Sequence, residues 1–278
     1  MQNMWGYKMK KNSIMEKYEK LKQAVKEKNK ILIAFSGGVD SSLVAKIAYD
    51  VLGKKALAIT LTSETFSKRE LENAKRIAKE IGIPHKTVKS SELRNDKFVK
   101  NPENRCYYCK KEEALILKRI ANEKGIKYIA DGVNLSDFNE HRPGIKAVNE
   151  QGFIHPLVEA GIKKYDVKYL AKAVGLSNWD MSSTTCIASR IPYNEKITKE
   201  KLKRIEDAES FILSLGFKQV RVRSHGDIAR IEVSKDEIEK FTDTRIQKKV
   251  ANKLRKIGFR YVTVDLEGYR SGSMDEVL

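Results

Sequence analysis

Seven consecutive residues, Ser36-Gly37-Gly38-Val39-Asp40-Ser41-Ser42, bring two glycines, three hydroxyls and a carboxylate together directly after the apolar run Ile31 to Phe35. That composition suits an anion. Gly37 and Gly38 let backbone N–H groups approach phosphate oxygens without a Cβ in the way, and the serines add hydroxyl donors. Asp40 is out of place beside phosphates unless it ligates Mg²⁺ or caps a helix, and both roles are open. The chain lacks the Gly-x-x-x-x-Gly-Lys-Ser/Thr loop of the common NTPases and the Gly-x-Gly-x-x-Gly of dinucleotide sites. A tight Gly/Ser-rich turn without function is the bland alternative.

The three cysteines are the second candidate chemistry. Cys106 and Cys109 are separated by two residues, just before an expected helix, and Cys186 lies far downstream. An odd count argues against a disulfide framework. A zinc site, a redox pair of Cys106 with Cys109, a [4Fe–4S] cluster on three thiolates, and unconnected packed thiols all fit the count. Arg105, Lys110 and Arg190 put positive charge beside these cysteines. Further candidates are Asp131 in Asp131-Gly132-Val133-Asn134, a Mg²⁺ or substrate ligand or a plain strand-end turn. Arg190, Arg221 and Arg223 can bind phosphate or carboxylate in bidentate fashion. Arg221 and Arg223 alternate along an expected strand and so share one face. Glu206 and Glu209 either pair with these arginines or solvate a helix.

The elements that hold these residues alternate. Helical periodicity spans Met9 to Lys28, Leu43 to Leu52, Lys68 to Ile81, Lys110 to Glu123 and Tyr165 to Val174. Short apolar strands are predicted at Ile31 to Phe35, Ala56 to Leu61, Pro84 to Val88 and Lys127 to Ala130. Alternation of this kind predicts a parallel sheet with helices on both faces, with the loop at Ser36 where such sheets bind ligands. Pro143 to Gly161 reads as irregular. Beyond about residue 192 the order becomes helix (Thr198 to Leu215, Thr198 as N-cap), strand (Gln219 to Arg223), strand (Ala229 to Val233), helix (Ile246 to Ile257) and strand (Tyr261 to Leu266). The expected division is therefore 1–192, α/β, and 193–278, a smaller α+β domain for substrate binding or oligomerisation.

The 278 residues carry a formal net charge of +18, which favours polyanionic partners or reflects a lysine-rich proteome. No apolar run approaches a membrane span and the first thirty residues lack a signal sequence, so a cytoplasmic protein is expected.

The string Ser36 to Ser42 resembles the signature of the PP-loop ATP pyrophosphatases (adenine nucleotide alpha hydrolase-like fold). That resemblance implies ATP, Mg²⁺, adenylation of a substrate oxygen and release of pyrophosphate. Combined with Asn104-Arg105-Cys106-Tyr107-Tyr108-Cys109-Lys110, Asp131 to Asn134, Cys186-Ile187-Ala188-Ser189-Arg190-Ile191-Pro192-Tyr193, Arg221 to Gly226 and Glu267 to Ser273, the chain resembles the LarE sulfur transferases over nearly its whole length. The resemblance implies ATP-dependent conversion of a carboxylate of pyridinium-3,5-biscarboxylic acid mononucleotide to a thiocarboxylate, for the nickel-pincer nucleotide cofactor. In one branch of that family the cysteine matching Cys186 gives up its own sulfur. Cys106 and Cys109 depart from that branch, so the resemblance implies the branch with a [4Fe–4S] cluster on Cys106, Cys109 and Cys186. It further implies Asp40, Asp131, Cys186 and Arg190 as catalytic residues and Ser36 to Ser42 as the ATP grip. Arg190, Arg221 and Arg223 are then the substrate anion ligands, and a homo-oligomer is expected. Two rival functions are a tRNA thiolation enzyme and a non-catalytic nucleotide-binding regulator with structural zinc.

Overall fold

The computed structural model describes residues 2–139, 142–182 and 185–276. In chain order its elements are α1 (Gln2–Lys26), β1 (Ile31–Ala34), α2 (Val39–Leu52), β2 (Ala56–Thr62), α3 (Lys68–Ile81), β3 (His85–Lys89), α4 (Asp96–Val99), α5 (Arg105–Glu123) and β4 (Tyr128–Ala130). They continue with α6 (Pro143–Glu150), α7 (Pro156–Glu159), α8 (Lys164–Ala173), α9 (Lys199–Ser214), β5 (Val220–His225), β6 (Ile228–Val233), α10 (Thr244–Ile257) and β7 (Tyr261–Val264). Two compact units result. The first takes residues up to 63, 68–91 and 104–182, and the second takes 64–67, 92–103 and those from 185 onward.

The first unit is built on a parallel sheet of order β3-β2-β1-β4. Its central strand is apolar on both faces. Ile31 and Ile33 enter a core with residues of α1, α2, α3 and α8, while Leu32 joins Ile59, Ala114, Leu117 and Ile129 on the opposite face. Burial on both faces is why this strand reads as an unbroken apolar run. From β1 the chain moves outward through β2 and β3, then returns to add β4 on the other side. The order reverses between β1 and β4, and the carboxyl ends of those two strands are where open α/β sheets bind ligands.

The second unit has a three-stranded sheet, β5 antiparallel to β6 and β7 parallel to β6. One face is apolar: Val220, Val222, Ala229, Ile231 and Val233 pack with Ala208 and Ile212 of α9 and Val250 and Leu254 of α10. The alternate residues, Arg221, Arg223, Arg230 and Glu232, take the other face. Thr198 caps α9 by accepting from Lys201 N at 3.3 Å, as the sequence suggested.

Three stretches differ from expectation. α2 begins at Val39, so Asp40, Ser41 and Ser42 lie in a helical first turn. α5 begins at Arg105, which puts Cys106 and Cys109 on the helix instead of ahead of it. Residues 143–161 hold α6 and α7, each with a proline at its start. A proline at the first helical position breaks nothing, because that N–H has no intrahelical partner anyway. Among the described residues no helix is long and apolar enough to cross a membrane.

Candidate active site

The loop after β1 is fixed from three sides. Gly37 has φ +75°, and a Cβ there would lie 2.6 Å from Ala74 Cα of α3. Its carbonyl accepts from Asn73 Nδ2 and from Asn178 Nδ2, each at 2.9 Å. Asn178 Nδ2 also reaches Ser42 Oγ at 3.0 Å. Within the loop, Ser36 Oγ accepts from Gly38 N at 3.2 Å and pairs with Ser41 Oγ at 3.1 Å. Gly38 occupies the N-cap position of α2, and among the described residues no side chain caps that helix. Its first-turn N–H groups and the positive end of its dipole therefore point to the mouth of the loop, an anion site in physical terms.

Two carboxylates flank this helix start. Asp40 Oδ1 accepts from Asn134 Nδ2 at 3.0 Å, and its Oδ2 contacts Lys164 Nζ. Asp40 therefore does not cap its own helix, which leaves the metal-ligand alternative and an ion pair. Asp131, at the end of β4, accepts at Oδ1 from Val133 N at 3.0 Å and is 2.7 Å from His155 Nδ1. A Cβ on Gly132 would lie 2.7 Å from Ser41 N, so only glycine lets the end of β4 close onto α2. The switch point thus brings together the hydroxyl-rich loop, an uncapped helix and two acids, a donor set that fits ATP with Mg²⁺. Asn73, Asn178, Lys164 and His155 carry no local motif. Lys164 meets Asp40 across 124 positions and Asn178 meets Gly37 across 141, so no window of sequence contains the pair.

Cys106 and Cys109 sit three residues apart on α5, hence on one helix face, Cys106 exposed and Cys109 buried. Cys109 Sγ is 3.2 Å from Glu113 Oε1, and Lys110 pairs with the same carboxylate at 2.6 Å. Gly144 of α6 allows close approach to α5, since a Cβ there would lie 2.8 Å from Lys110 Cγ.

In the second unit Cys186 is exposed and begins a short 3₁₀ turn, Ile187–Arg190. Arg190 fixes that turn. Its Nη1 donates to Thr185 O at 2.7 Å, Cys186 O at 2.9 Å and Ser189 Oγ at 3.0 Å, while Nε and Nη2 take Glu209 at 2.9 and 3.2 Å. Glu209 also accepts from Val222 N at 3.0 Å, tying the turn to β5. Of the two acids expected near the arginines, Glu209 fills that role. Arg221 and Arg223 share the polar sheet face and are buried, so this is no solvated face. Arg223 donates to Glu232 at 2.7 Å, Ser273 Oγ at 3.1 Å and Ser189 O at 3.2 Å. Arg221 lies over the Tyr269 ring at 5.4 Å. Burial and the neighbouring Arg190 charge both lower the Arg221 pKa from its usual value. Arg190 and Arg223 each have a carboxylate partner, Glu209 and Glu232, within this cluster of guanidinium groups.

Residues 13–105 match the family described as NAD synthase, a stretch that contains the loop with β1 before it and α2 after it. Over 256 residues, 92% of this chain and 92% of its relative, the sequence is 39% identical to the pyridinium-3,5-bisthiocarboxylic acid mononucleotide synthase of Lactiplantibacillus plantarum. The chain belongs to the LarE family. An uncharacterized protein of Synechocystis is 45% identical over 94% of this chain and 98% of its own, and one of Methanocaldococcus jannaschii 32% over 92% and 98%. As a LarE protein with a PP-loop, it is an ATP-dependent sulfurtransferase.

Proposed function

We propose that this LarE protein adenylates a carboxylate of pyridinium-3,5-biscarboxylic acid mononucleotide and replaces the activated oxygen with sulfur. The observation that carries this is the uncapped start of α2, held between Gly37 and Gly132 and flanked by Asp40 and Asp131. The carboxylate oxygen attacks the α-phosphorus of ATP, and pyrophosphate leaves into the loop Ser36 to Ser42. A sulfide nucleophile then adds to the acyl carbon, and AMP departs with the former carboxylate oxygen. Asp40 and Asp131 are the residues that would hold Mg²⁺, which when bound would supply positive charge beside the leaving pyrophosphate. Arg221 and Arg223 take the substrate phosphate or its second carboxylate, and Arg190 sets the turn that carries Cys186.

For the sulfur, the reading is a [4Fe–4S] cluster on Cys106, Cys109 and Cys186. Two thiols on one helix face and a third on an exposed turn fit thiolate ligation in donor type and number. The three cysteines would hold such a cluster, which when bound would supply iron chemistry for delivering sulfide.

The test uses anaerobically purified protein with ATP, Mg²⁺, sulfide and the biscarboxylate nucleotide. AMP, pyrophosphate and a product with one oxygen exchanged for sulfur are expected together, and Asp40→Ala should release no pyrophosphate. Full activity in that variant removes Asp40 from the mechanism. About four irons per chain, lost in Cys106→Ala along with repeated transfer, are expected from the cluster. Zinc overturns the cluster and leaves Cys186 as a sacrificial donor or the cysteines as structural, and transfer that survives without Cys106 but not without Cys186 decides for the sacrificial donor.

A further inference from the structure

Asp40 faces the mouth of the loop with an ammonium against it. Lys164 stands at the start of α8, where its backbone N–H donates to Ser136 Oγ at 3.1 Å. The root of the side chain is fixed, while its four-carbon stem leaves the charge free to swing. The Lys164 side chain is 38% exposed against 21% for Asp40, so the ammonium approaches from the solvent side. Asp40 already has a partner at Oδ1 in Asn134, and the contact at Oδ2 uses one of three ammonium donors. Asp137 adds a second acid nearby. Burial chiefly raises its carboxyl pKa, with the Asp40 charge reinforcing that shift and Lys164 opposing it.

A carboxylate at the mouth of an anion site repels an arriving polyphosphate, and an ammonium touching that carboxylate cancels the repulsion. The same ammonium, with two donors left, is placed to bind what the carboxylate repels. We propose that Lys164 is a phosphate-binding residue of the ATP site. It rests on Asp40 while the loop is empty and turns to the polyphosphate when nucleotide enters. The inference rests on the reading of Ser36 to Ser42 as that site.

Titration calorimetry of ATP and of adenosine, each at fixed Mg²⁺, on the full chain and on Lys164→Met and Lys164→Arg tests it. Lys164→Met is expected to weaken ATP at least about tenfold, the scale of one charge-assisted hydrogen bond. Adenosine binding should stay within about twofold, since adenosine has no phosphate for the ammonium to hold. Lys164→Arg should recover most of the ATP affinity. Unchanged ATP affinity in Lys164→Met overturns the proposal. So does an equal loss for ATP and adenosine, which marks a structural role. A wild-type chain that prefers ATP no more than adenosine overturns the ATP site itself, and the lysine's role with it.

Discussion

Of the two acids beside the loop, Asp40 meets the Lys164 ammonium and Asp131 meets the His155 imidazole, whose pKa is shifted. Around His155, burial by itself lowers the imidazole pKa, but the hydrogen bond and charge of Asp131, with Glu159 behind them, outweigh it and the net shift is upward. A raised folded pKa contributes stability that is fully present below the unfolded value near 6.5 and is lost as pH rises through the folded value. His85 and His225 are shifted down, chiefly by burial, with the charges of Lys75 and Arg230 adding to it. Their contribution has the opposite sign and is lost as pH falls. Replacing His155 by Asn is therefore expected to cost more stability at about pH 6 than at about pH 8. Urea unfolding of wild type and variant at both values isolates the effect, because the other histidines cancel in the difference. An equal cost at both would show that the Asp131 contact does not favour the charged imidazole. Asp131 was legible from its place at a strand end. His155 was not, because a lone histidine before a proline carries no signal until the fold brings it back to β4.

The sheet and its helices were legible because strands buried on both faces leave apolar runs and the helices between them keep a 3.6-residue period. Starts were read less well. The loop string ran into α2 without a change of composition, and prolines at 143 and 156 resembled breakers although each opens a helix. Where α2 starts decides how the loop works, and Gly37 tests this. At φ +75° with Ala74 backbone in the way, Gly37→Ala is expected to destabilise the protein by about 1–3 kcal/mol and to abolish ATP binding. Gly53→Ala serves as the control. It shares a positive φ, +56°, but no atom of the described residues lies within 4 Å of the added Cβ. With ψ −132° its backbone is also one that L residues avoid, so a cost of about 1–3 kcal/mol with ATP binding intact is expected there. Equal loss of binding in both variants, followed by calorimetry and thermal melting, would mean that backbone strain rather than loop contact governs the site.

On the scale of the whole chain, the second unit draws on three separated stretches. Asn101 Nδ2 donates to Ile191 O, Pro192 O and Glu195 O at 3.3, 2.7 and 3.1 Å, and Ile197 N donates to Val99 O at 2.9 Å. Ile187 N likewise finds its acceptor in Thr65 O at 3.3 Å. A sequence reading assigns residues to domains by continuity, and continuity gave 64–67 and 92–103 no tie to the C-terminal part. A fragment from residue 185 to the end is expected to lack a cooperative thermal transition by circular dichroism, since the carbonyls served by Asn101 lose their donor. A sharp, reversible melt of that fragment would show those bonds to be dispensable. The chain passes between the units at 63/64, 67/68, 91/92, 103/104 and just before 185, five times in all. No single genetic crossover can therefore exchange one unit and spare the other. The unit that holds the Ser36 to Ser42 loop and the unit that carries Cys186 are inherited as one piece, and divergence between relatives has to come by point changes, not by shuffling of modules.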